Sequence, residues 1–253
     1  MEENREAGRA AGPRRLPLLM PTLMIALTVV TGVVEAVSLL ALGPVFTAMQ
    51  TGNVLFLAFG AARVGNLPAL AAAVSLAAFV LGVVCGARLE ALAEARGKRW
   101  FITGLIVESG LIVAAAAAGW GLVPHYGSPT DRHLTVSAIL ALAMGLRNTT
   151  ILRANLPGVP TTLVTRSMTA FLGGAAMGRG NVFGFGTSRW ALRGLSVLAM
   201  FAGGFLGALL VRAGWTVNWL LLPTAAVVLV VGLSYRAEPR LHTDQTSGRE
   251  GPA

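Results

Sequence analysis

The apolar residues of this chain are gathered in blocks of about 20 residues, which short breaks rich in Arg, Gly and Pro separate. Blocks of this length are typical of helices that cross a lipid bilayer. The apolar segments are residues 18–42, 45–62, 67–88, 100–122, 134–153, 160–178, 190–212 and 215–235. The pattern therefore predicts an all-α, polytopic transmembrane helical bundle.

The second and sixth segments are short and begin with polar, β-branched residues, so two topologies are open. If both segments cross, the chain has eight spans as 4+4, and the basic connection 89–99 lies outside the cytoplasm. If they do not, six full spans and two short or re-entrant helices remain, and the repeat is inverted. Because cytoplasmic loops collect Lys and Arg, we favour six spans. The chain would then enter extended through 45–50 and return as a helix over 51–62.

The two halves of the chain carry similar residue patterns in the same order, which predicts an internal duplication. The matching elements are Gly32–Glu35 with Gly145–Asn148, Leu42–Pro44 with Leu156–Gly158, Thr51–Asn53 with Thr165–Ser167, and Gly82 and Gly86 with Gly203 and Gly207. The predicted parts are a basic N-terminus (1–17), a first membrane repeat (18–122), a connecting loop (123–133), a second membrane repeat (134–235) and a disordered tail (236–253).

Composition supports a membrane protein, since 55% of the residues are hydrophobic and 12% are charged. A soluble domain carries about 25% charged residues. The net charge of +9 comes mainly from arginines between or just outside the apolar segments. Cytoplasmic loops explain these arginines better than nucleic-acid binding does, because no basic stretch is interleaved with aromatic residues. We expect a protein of the cell (inner) membrane with both termini in the cytoplasm.

Four ionisable residues lie within apolar segments: Glu35, Glu108, Arg147 and Arg166. A charge at the centre of a membrane helix costs about 2.5–3.5 kcal/mol, so such residues usually face a partner or water. Glu35 and Arg147 occupy near-equivalent positions in the two halves, and we expect them to approach each other. They could form a substrate- or proton-linked pair, or an ion pair that only holds the halves together. Glu108 is expected near one interface, in a structural role.

The starts of the two short segments form a second group of polar residues. If each begins a half-helix, its free N–H groups point into the membrane, as in several transporter folds. Gly52 would allow close approach, and Arg166 would favour an anionic group. The alternative is simple N-capping of two ordinary spans. The predicted substrate-binding residues are Glu35, Thr51, Gly52, Asn53, Arg147, Asn148, Thr165, Arg166 and Ser167.

Residues for catalysis or metal binding are not grouped in the sequence. Cys85 is the only cysteine, and the three histidines lie in polar connections without the spacing of metal ligands. Neither HExxH nor GxSxG occurs. We therefore predict no enzymatic activity, no metal and no cofactor.

Four stretches carry a resemblance to a known family. They are Gly32–Ser38, Met49–Asn53, Ala143–Asn148 and Thr161–Thr165. With these stretches the chain, over about residues 18–235, resembles the YoaK-like family of bacterial multi-pass membrane proteins, known as domain of unknown function 1275. The resemblance implies a membrane protein and no reaction. The chain departs from the family pattern in having Glu35 for aspartate, Arg147 for glutamine and Arg166 for glycine.

Two functions fit these observations. The first is a transporter or channel for a small polar or anionic solute, with its site around Glu35, Asn53, Arg147, Asn148 and Arg166. The second is a non-transporting membrane scaffold or assembly partner, in which Arg147 and Arg166 are bound to other protein groups. The partners that both require are the lipid bilayer and, for the first function, the solute.

Overall fold

The computed structural model describes residues 19–65, 68–123, 129–154, 168–169 and 190–237. Its main helices are α1 (Leu19–Ala41), α2 (Gln50–Ala61), α3 (Ala69–Ala95), α4 (Trp100–Ala118), α5 (Asp131–Ala154), α6 (Trp190–Arg212) and α7 (Val217–Ser234), and a short 3-10 helix follows (Tyr235–Ala237). No strand occurs within these residues. All the main helices except α2 are long and apolar enough to cross a membrane, which makes six. The predicted all-α membrane bundle is confirmed.

The helix boundaries follow the hydrophobic pattern closely. The first predicted segment, 18–42, is α1, and the segment at 190–212 coincides with α6. The second, 45–62, is only partly helical, since α2 begins at Gln50. The sixth, 160–178, lies outside the described residues except for Met168 and Thr169.

Helices α3 and α5 pack through glycine. A Cβ atom on Gly82 would lie 2.1 Å from the carbonyl oxygen of Leu142, and one on Gly86 would lie 3.1 Å from the Cα of Leu146. The two backbones therefore touch, as small residues allow in membrane helices. From the first contact to the second, the residue number increases along both helices, so α3 and α5 run parallel.

Helices α1 and α6 pack in the same manner. A Cβ atom on Gly203 would lie 2.1 Å from the carbonyl oxygen of Val29, and one on Gly207 would lie 3.3 Å from the Cα of Val33. This pair of helices is also parallel. The glycines at GxxxG spacing are thus contact points between backbones in both pairs.

The two crossings use residues at corresponding places in the halves of the chain. Matching residues of α1 and α5 keep one constant separation in sequence, and matching residues of α3 and α6 keep another. For α1 and α5 they are Val29 with Leu142, Gly32 with Gly145 and Val33 with Leu146; for α3 and α6 they are Phe79 with Met200, Gly82 with Gly203 and Gly86 with Gly207.

Residues just before α2 bring the end of α1 and the start of α3 to one depth. The N–H of Thr47 donates to Glu35 of α1 at 3.0 Å. The carbonyl of the neighbouring residue, Phe46, accepts from the hydroxyl of Ser75 of α3 at 2.6 Å. Glu35 precedes the end of α1, and Ser75 follows the start of α3, by about 9 Å of helix in each case.

Arg147 of α5 then shows that α1 and α3 are antiparallel. Its guanidinium binds Thr31, one turn before Glu35 on α1. Its neighbour Leu146 packs on Gly86, about three turns beyond Ser75 on α3. Moving back along α1 therefore corresponds to moving forward along α3. The chain between them, residues 42–68, therefore leaves α1 and enters α3 on one side of the bundle, and the short helix α2 lies within this connection.

The ends of the helices divide between two faces. Helices α4 and α7 reverse direction after the short turns at 96–99 and 213–216. The starts of α1, α4 and α6 therefore share one face with the ends of α3, α5 and α7. We call this the basic face, and its cations are Arg96, Lys98, Arg99, Arg153 and Arg236. The opposite face carries Arg63, Arg132 and Arg212.

Candidate functional site

Glu35 holds the chain that leads into α2. Its side chain is buried on α1, and its Oε1 atom accepts hydrogen bonds from the N–H groups of Thr47 and Ala48, at 3.0 and 2.5 Å, and from the Thr47 hydroxyl at 3.1 Å. The Oε2 atom is also buried and has no hydrogen-bond partner in the described structure. The carboxylate thus lies where the dipole of α2 and the preceding amides favour a negative charge.

Asn53 binds both backbone groups of one residue of the non-helical segment before α2. Its amide oxygen accepts from the Phe46 N–H at 3.0 Å, and its amide nitrogen lies 2.6 Å from the Phe46 carbonyl. The same nitrogen lies 2.7 Å from Oε1 of Gln50 and 3.2 Å from the Ser75 hydroxyl. A fully buried amide with these contacts supplies the partners that the non-helical backbone of Phe46 needs.

Gly52 and Thr51 have different surroundings. A Cβ atom on Gly52 would lie 2.5 Å from the ring of Phe46, so the absent side chain leaves room for that ring. Thr51 is exposed. The N-cap residue of α2 is Met49, and no side chain caps the helix, so the alternative of simple N-capping does not apply to the first short segment. Asn53 and Gly52 instead fix the position of Phe46 in the segment before α2, a role that the sequence did not suggest.

Replacing Asn53 by leucine should release the segment before α2. The variant leaves the N–H of Phe46 without its partner, while the Phe46 carbonyl keeps the Ser75 hydroxyl at 2.6 Å. An unsatisfied buried group costs about 1–3 kcal/mol. We expect faster hydrogen exchange at residues 45–49 in detergent-solubilised protein. The matched control is Thr51→Ala, two residues away, where the side chain is exposed and exchange should stay as in the wild type. Equal exchange in both variants would contradict this role of Asn53.

Arg147 is paired with Glu108, not with Glu35. Both residues of the ion pair, Arg147 on α5 and Glu108 on α4, are fully buried. The other terminal nitrogen of Arg147 donates to the carbonyl of Leu27 at 3.1 Å and to the hydroxyl of Thr31 at 2.9 Å. The expected pair of Glu35 and Arg147 therefore does not form, although Arg147 binds Thr31 one turn before Glu35 on α1. Each of the two carboxylates, Glu35 and Glu108, has its donors on a different element.

Glu108 also differs from its expected place at one interface. It lies in the middle of α4, which spans Trp100–Ala118, and its side chain is fully buried. A carboxylate at that depth cannot reach water along its own chain, so it requires the cation that Arg147 supplies.

A further buried carboxylate lies near the basic face and was missed in the sequence. Glu90 of α3 is fully buried, and the hydroxyl of Thr150 of α5 lies at hydrogen-bond distance from its Oε1 atom. Arg153 lies 3.8 Å from its Oε2 atom and is paired with Glu94 one turn further along α3. The predicted segment ended at residue 88, two positions before Glu90, because charged residues begin there. The fact that α3 continues as a helix to Ala95 was the missing signal.

The other predicted site residues are placed only in part. Asn148 is half-buried on α5, next to Arg147. Thr165, Arg166 and Ser167 lie outside the described residues. Within the part of the chain that the structure describes, no three His, Cys, Asp or Glu residues are grouped so that they could hold a metal ion.

In the described part of the chain, six apolar helices around buried charges, with the short helix α2 between the first two, define a multi-pass α-helical membrane protein. The chain belongs to the family described as protein of unknown function DUF1275, whose model matches residues 23–234. It is similar to the UPF0700 transmembrane protein YoaK of Bacillus subtilis (strain 168), at 22% identity over 141 residues. That alignment covers 56% of this chain and 60% of the relative. No solved structure matches the chain.

Proposed function

We propose that this membrane protein is a transporter or channel for a small polar or anionic solute, and that the solute binds beside the start of α2. The observation that carries the proposal is the largely buried, non-helical segment before a half-length helix, which reaches the depth of Glu35. Non-helical backbone at membrane depth is tolerated where it is enclosed by protein or lines a cavity. Discontinuous helices of this kind form the binding sites of several transporter folds.

We infer an inverted internal repeat as the frame of this site. Helix α1 packs on α6 as α5 packs on α3, through residues at constant separations in sequence. Helices α1 and α5 run in opposite directions, as do α3 and α6, and α4 and α7. Inverted repeats whose interface holds the substrate site recur among transporters. This relationship supports a transport function beyond the likeness of the two sequences.

The charge of the two faces supports an orientation. The basic face gathers the cations at the ends of α3, α5 and α7, while the opposite face has three arginines in the described chain. By the positive-inside rule the basic face lies in the cytoplasm of a cell (inner) membrane. Both ends of the described chain, Leu19 and Ala237, are on that face, which supports termini in the cytoplasm.

The chemistry of the site follows from Glu35. Its carboxylate already occupies the donors that a solute anion would use, namely the N–H groups of Thr47 and Ala48. A solute group that accepts hydrogen bonds would exchange with Glu35 at these donors. Arg147 binds Thr31 one turn before Glu35 on α1, so the ion pair of Arg147 and Glu108 lies close to the same region. The proposal includes no enzymatic step.

Glu35→Ala should abolish flux in proteoliposomes that contain the full chain, because the segment that carries the Thr47 and Ala48 donors loses the acceptor that holds it in place. The probes are isosmotic sodium salts of formate, acetate, nitrate and phosphate, together with urea, and the measurement is light scattering during swelling. We expect the wild type to conduct at least one probe faster than empty liposomes. The matched control is Asp131→Asn, an exposed carboxylate on the opposite face, which should conduct as the wild type does.

A second variant, Glu35→Gln, separates loss of charge from loss of the fold. The glutamine oxygen can still accept from Thr47 and Ala48, so the segment before α2 should stay in place. Flux that persists unchanged in a folded Glu35→Gln and in Glu35→Ala would contradict a site at Glu35. Rates for the wild type that equal those of empty liposomes with every probe would contradict transport of this class of solute.

A membrane scaffold is the second candidate, and one observation favours it. Arg147 has its charge paired with Glu108 and its other donors bound by Leu27 and Thr31, as a scaffold would require. The same ion pair would also serve a transporter as a fixed centre. The flux measurement distinguishes the two, because a scaffold conducts none of the probes.

A further inference from the structure

We propose that Glu90 is a proton-binding residue that opens to water at the basic face and couples proton uptake to transport. The coupling rests on the proposed transport function, whereas the proton site stands on its own geometry. Glu90, Glu94 and Arg153 form a group of two carboxylates and one guanidinium at the ends of α3 and α5. With both carboxylates ionised the group carries one excess negative charge, and one bound proton balances it.

The burial of the three residues forms a gradient from water inward. Glu94 is 42% exposed and Arg153 is 18% exposed, whereas Glu90 is fully buried one turn of α3 further in. The guanidinium of Arg153 is held 4.6 Å from the ring centroid of Trp100 on α4. Arg153 thus lies between the water at Glu94 and the carboxyl of Glu90, so a movement of its side chain would control access.

Thr150 suits both protonation states of Glu90. Its single hydroxyl proton lies between two acceptors, the Oε1 atom of Glu90 and the carbonyl of Leu146, which is 3.1 Å away. When Glu90 is ionised, the hydroxyl donates to the carboxylate. When Glu90 carries the proton, the acid donates to the Thr150 oxygen and the hydroxyl turns to Leu146. The Oε1 atom of Glu90 and the Thr150 hydroxyl keep a hydrogen-bond partner in both states, whereas the buried Oε2 atom of Glu90 has none in the described structure.

The charges that face Glu90 leave it less compensated than the other buried carboxylates. From α5 only Arg153 acts on it, at 3.8 Å and already paired with Glu94. The residue of α4 that lies against Glu90 is Gly104, which carries no charge. A Cβ atom added to Gly104 would lie 3.2 Å from the Oε1 atom of Glu90. Glu108 has its own arginine. Glu35 has two backbone N–H donors and a hydroxyl.

Proton uptake by Glu90 conserves atoms and charge. A hydronium ion at the basic face transfers one proton to a lone pair of a Glu90 carboxylate oxygen, which forms an O–H bond and leaves a water molecule. The charge of the Glu90, Glu94 and Arg153 group changes from −1 to zero, which weakens the attraction of Glu90 for Arg153. Glu90 is one turn of α5 from Arg147 through Thr150, so the change is transmitted to the centre of the bundle.

The test is a pH jump on proteoliposomes adsorbed to a solid-supported membrane, with transient charge displacement as the measurement and no solute present. We expect the wild type to displace charge, Glu90→Gln to lose the displacement, and Asp131→Asn to keep it. In Arg153→Gln the displacement should persist with its midpoint at higher pH, because the cation that opposes protonation is removed. Circular dichroism and gel filtration identify variants that fail to fold.

Each result decides the matter. No displacement in the wild type, or an equal displacement in a folded Glu90→Gln, would overturn the proton site. A displacement that follows a sodium jump at constant pH and is absent on a pH jump would overturn it in favour of sodium. Displacement lost in Glu90→Gln, in a protein that conducts none of the flux probes, would keep the proton site and reject transport of those solutes.

Discussion

Arg147→Met should destabilise the protein by about 3–5 kcal/mol, which is the usual cost of removing one partner of a buried ion pair. The substitution leaves Glu108 in the middle of α4 without a cation, and it also removes the donors to Leu27 and Thr31 of α1. Arg147 connects three helices, so the damage is not confined to one. We expect a large fall in the midpoint of thermal unfolding in detergent and little monodisperse protein on gel filtration.

The double variant Arg147→Met with Glu108→Leu tests the cause. Replacing both members of a buried pair with apolar residues is often neutral or stabilising, so most of the lost stability should return. The matched control is Arg132→Met on the same helix, where the side chain is exposed and the loss should be small. A double variant as unstable as Arg147→Met would show that the unpaired carboxylate of Glu108 is not the source of the loss.

Gly203→Ala should separate α1 from α6 and lower stability strongly, whereas Gly204→Ala should not. A Cβ atom on Gly203 would lie 2.1 Å from the carbonyl oxygen of Val29. That oxygen belongs to the backbone and cannot turn aside, so the helices must move apart. Overpacking costs about 1–3 kcal/mol where side chains can adjust, and rigid backbone should place this variant at the upper end.

The neighbouring Gly204 provides a matched control within the same helix. A Cβ atom there would meet only the carbonyl oxygen of Gly32, at 3.9 Å, which is ordinary contact. Alanine also favours a helix over glycine by about 1 kcal/mol, so Gly204→Ala should be neutral or stabilising. The measurement is the unfolding midpoint of each variant. Equal midpoints for the two alanine variants would contradict backbone contact at Gly203.

Gly82 extends the comparison to the other half of the chain. Its Cβ would lie 2.1 Å from the carbonyl oxygen of Leu142, as close as in the α1 and α6 pair. An inverted repeat predicts similar losses for Gly82→Ala and Gly203→Ala. Here Gly110→Ala on α4 is the control, since an added Cβ would meet nothing within 4 Å.

The hydrophobic pattern sufficed for the spans of the described chain and for the short helix α2. Each crossing helix satisfies the hydrogen-bonding groups of its own backbone. Its length and apolar composition therefore predict the helix without knowledge of its neighbours. The short second segment was recognised because 12 helical residues reach only about 18 Å, and because loop charges favoured six crossings. Glycine spacing identified Gly82 and Gly203 as packing positions, although not the helices that they touch.

The partners of the buried charges required the fold. Glu35 was expected beside Arg147 by its equivalent position, yet its oxygen binds Thr47 and Ala48, and Arg147 binds Glu108. Sequence distance carries no information on which carboxylate lies nearest a guanidinium, because helix rotation and crossing angle set that distance. Glu90 was missed for a related reason, since its burial depends on α4 and α5 covering the end of α3.

The amino-acid order alone thus identified a helical membrane protein and the six apolar spans in the described part of the chain, since bilayer thickness and backbone hydrogen bonding act on each segment separately. Only the tertiary structure decided three features of the buried polar residues. They are the pairing of Arg147 with Glu108, the hydrogen bonds of Asn53 to Phe46 and the burial of Glu90. They depend on how helices face one another, and van der Waals fit between distant segments determines that.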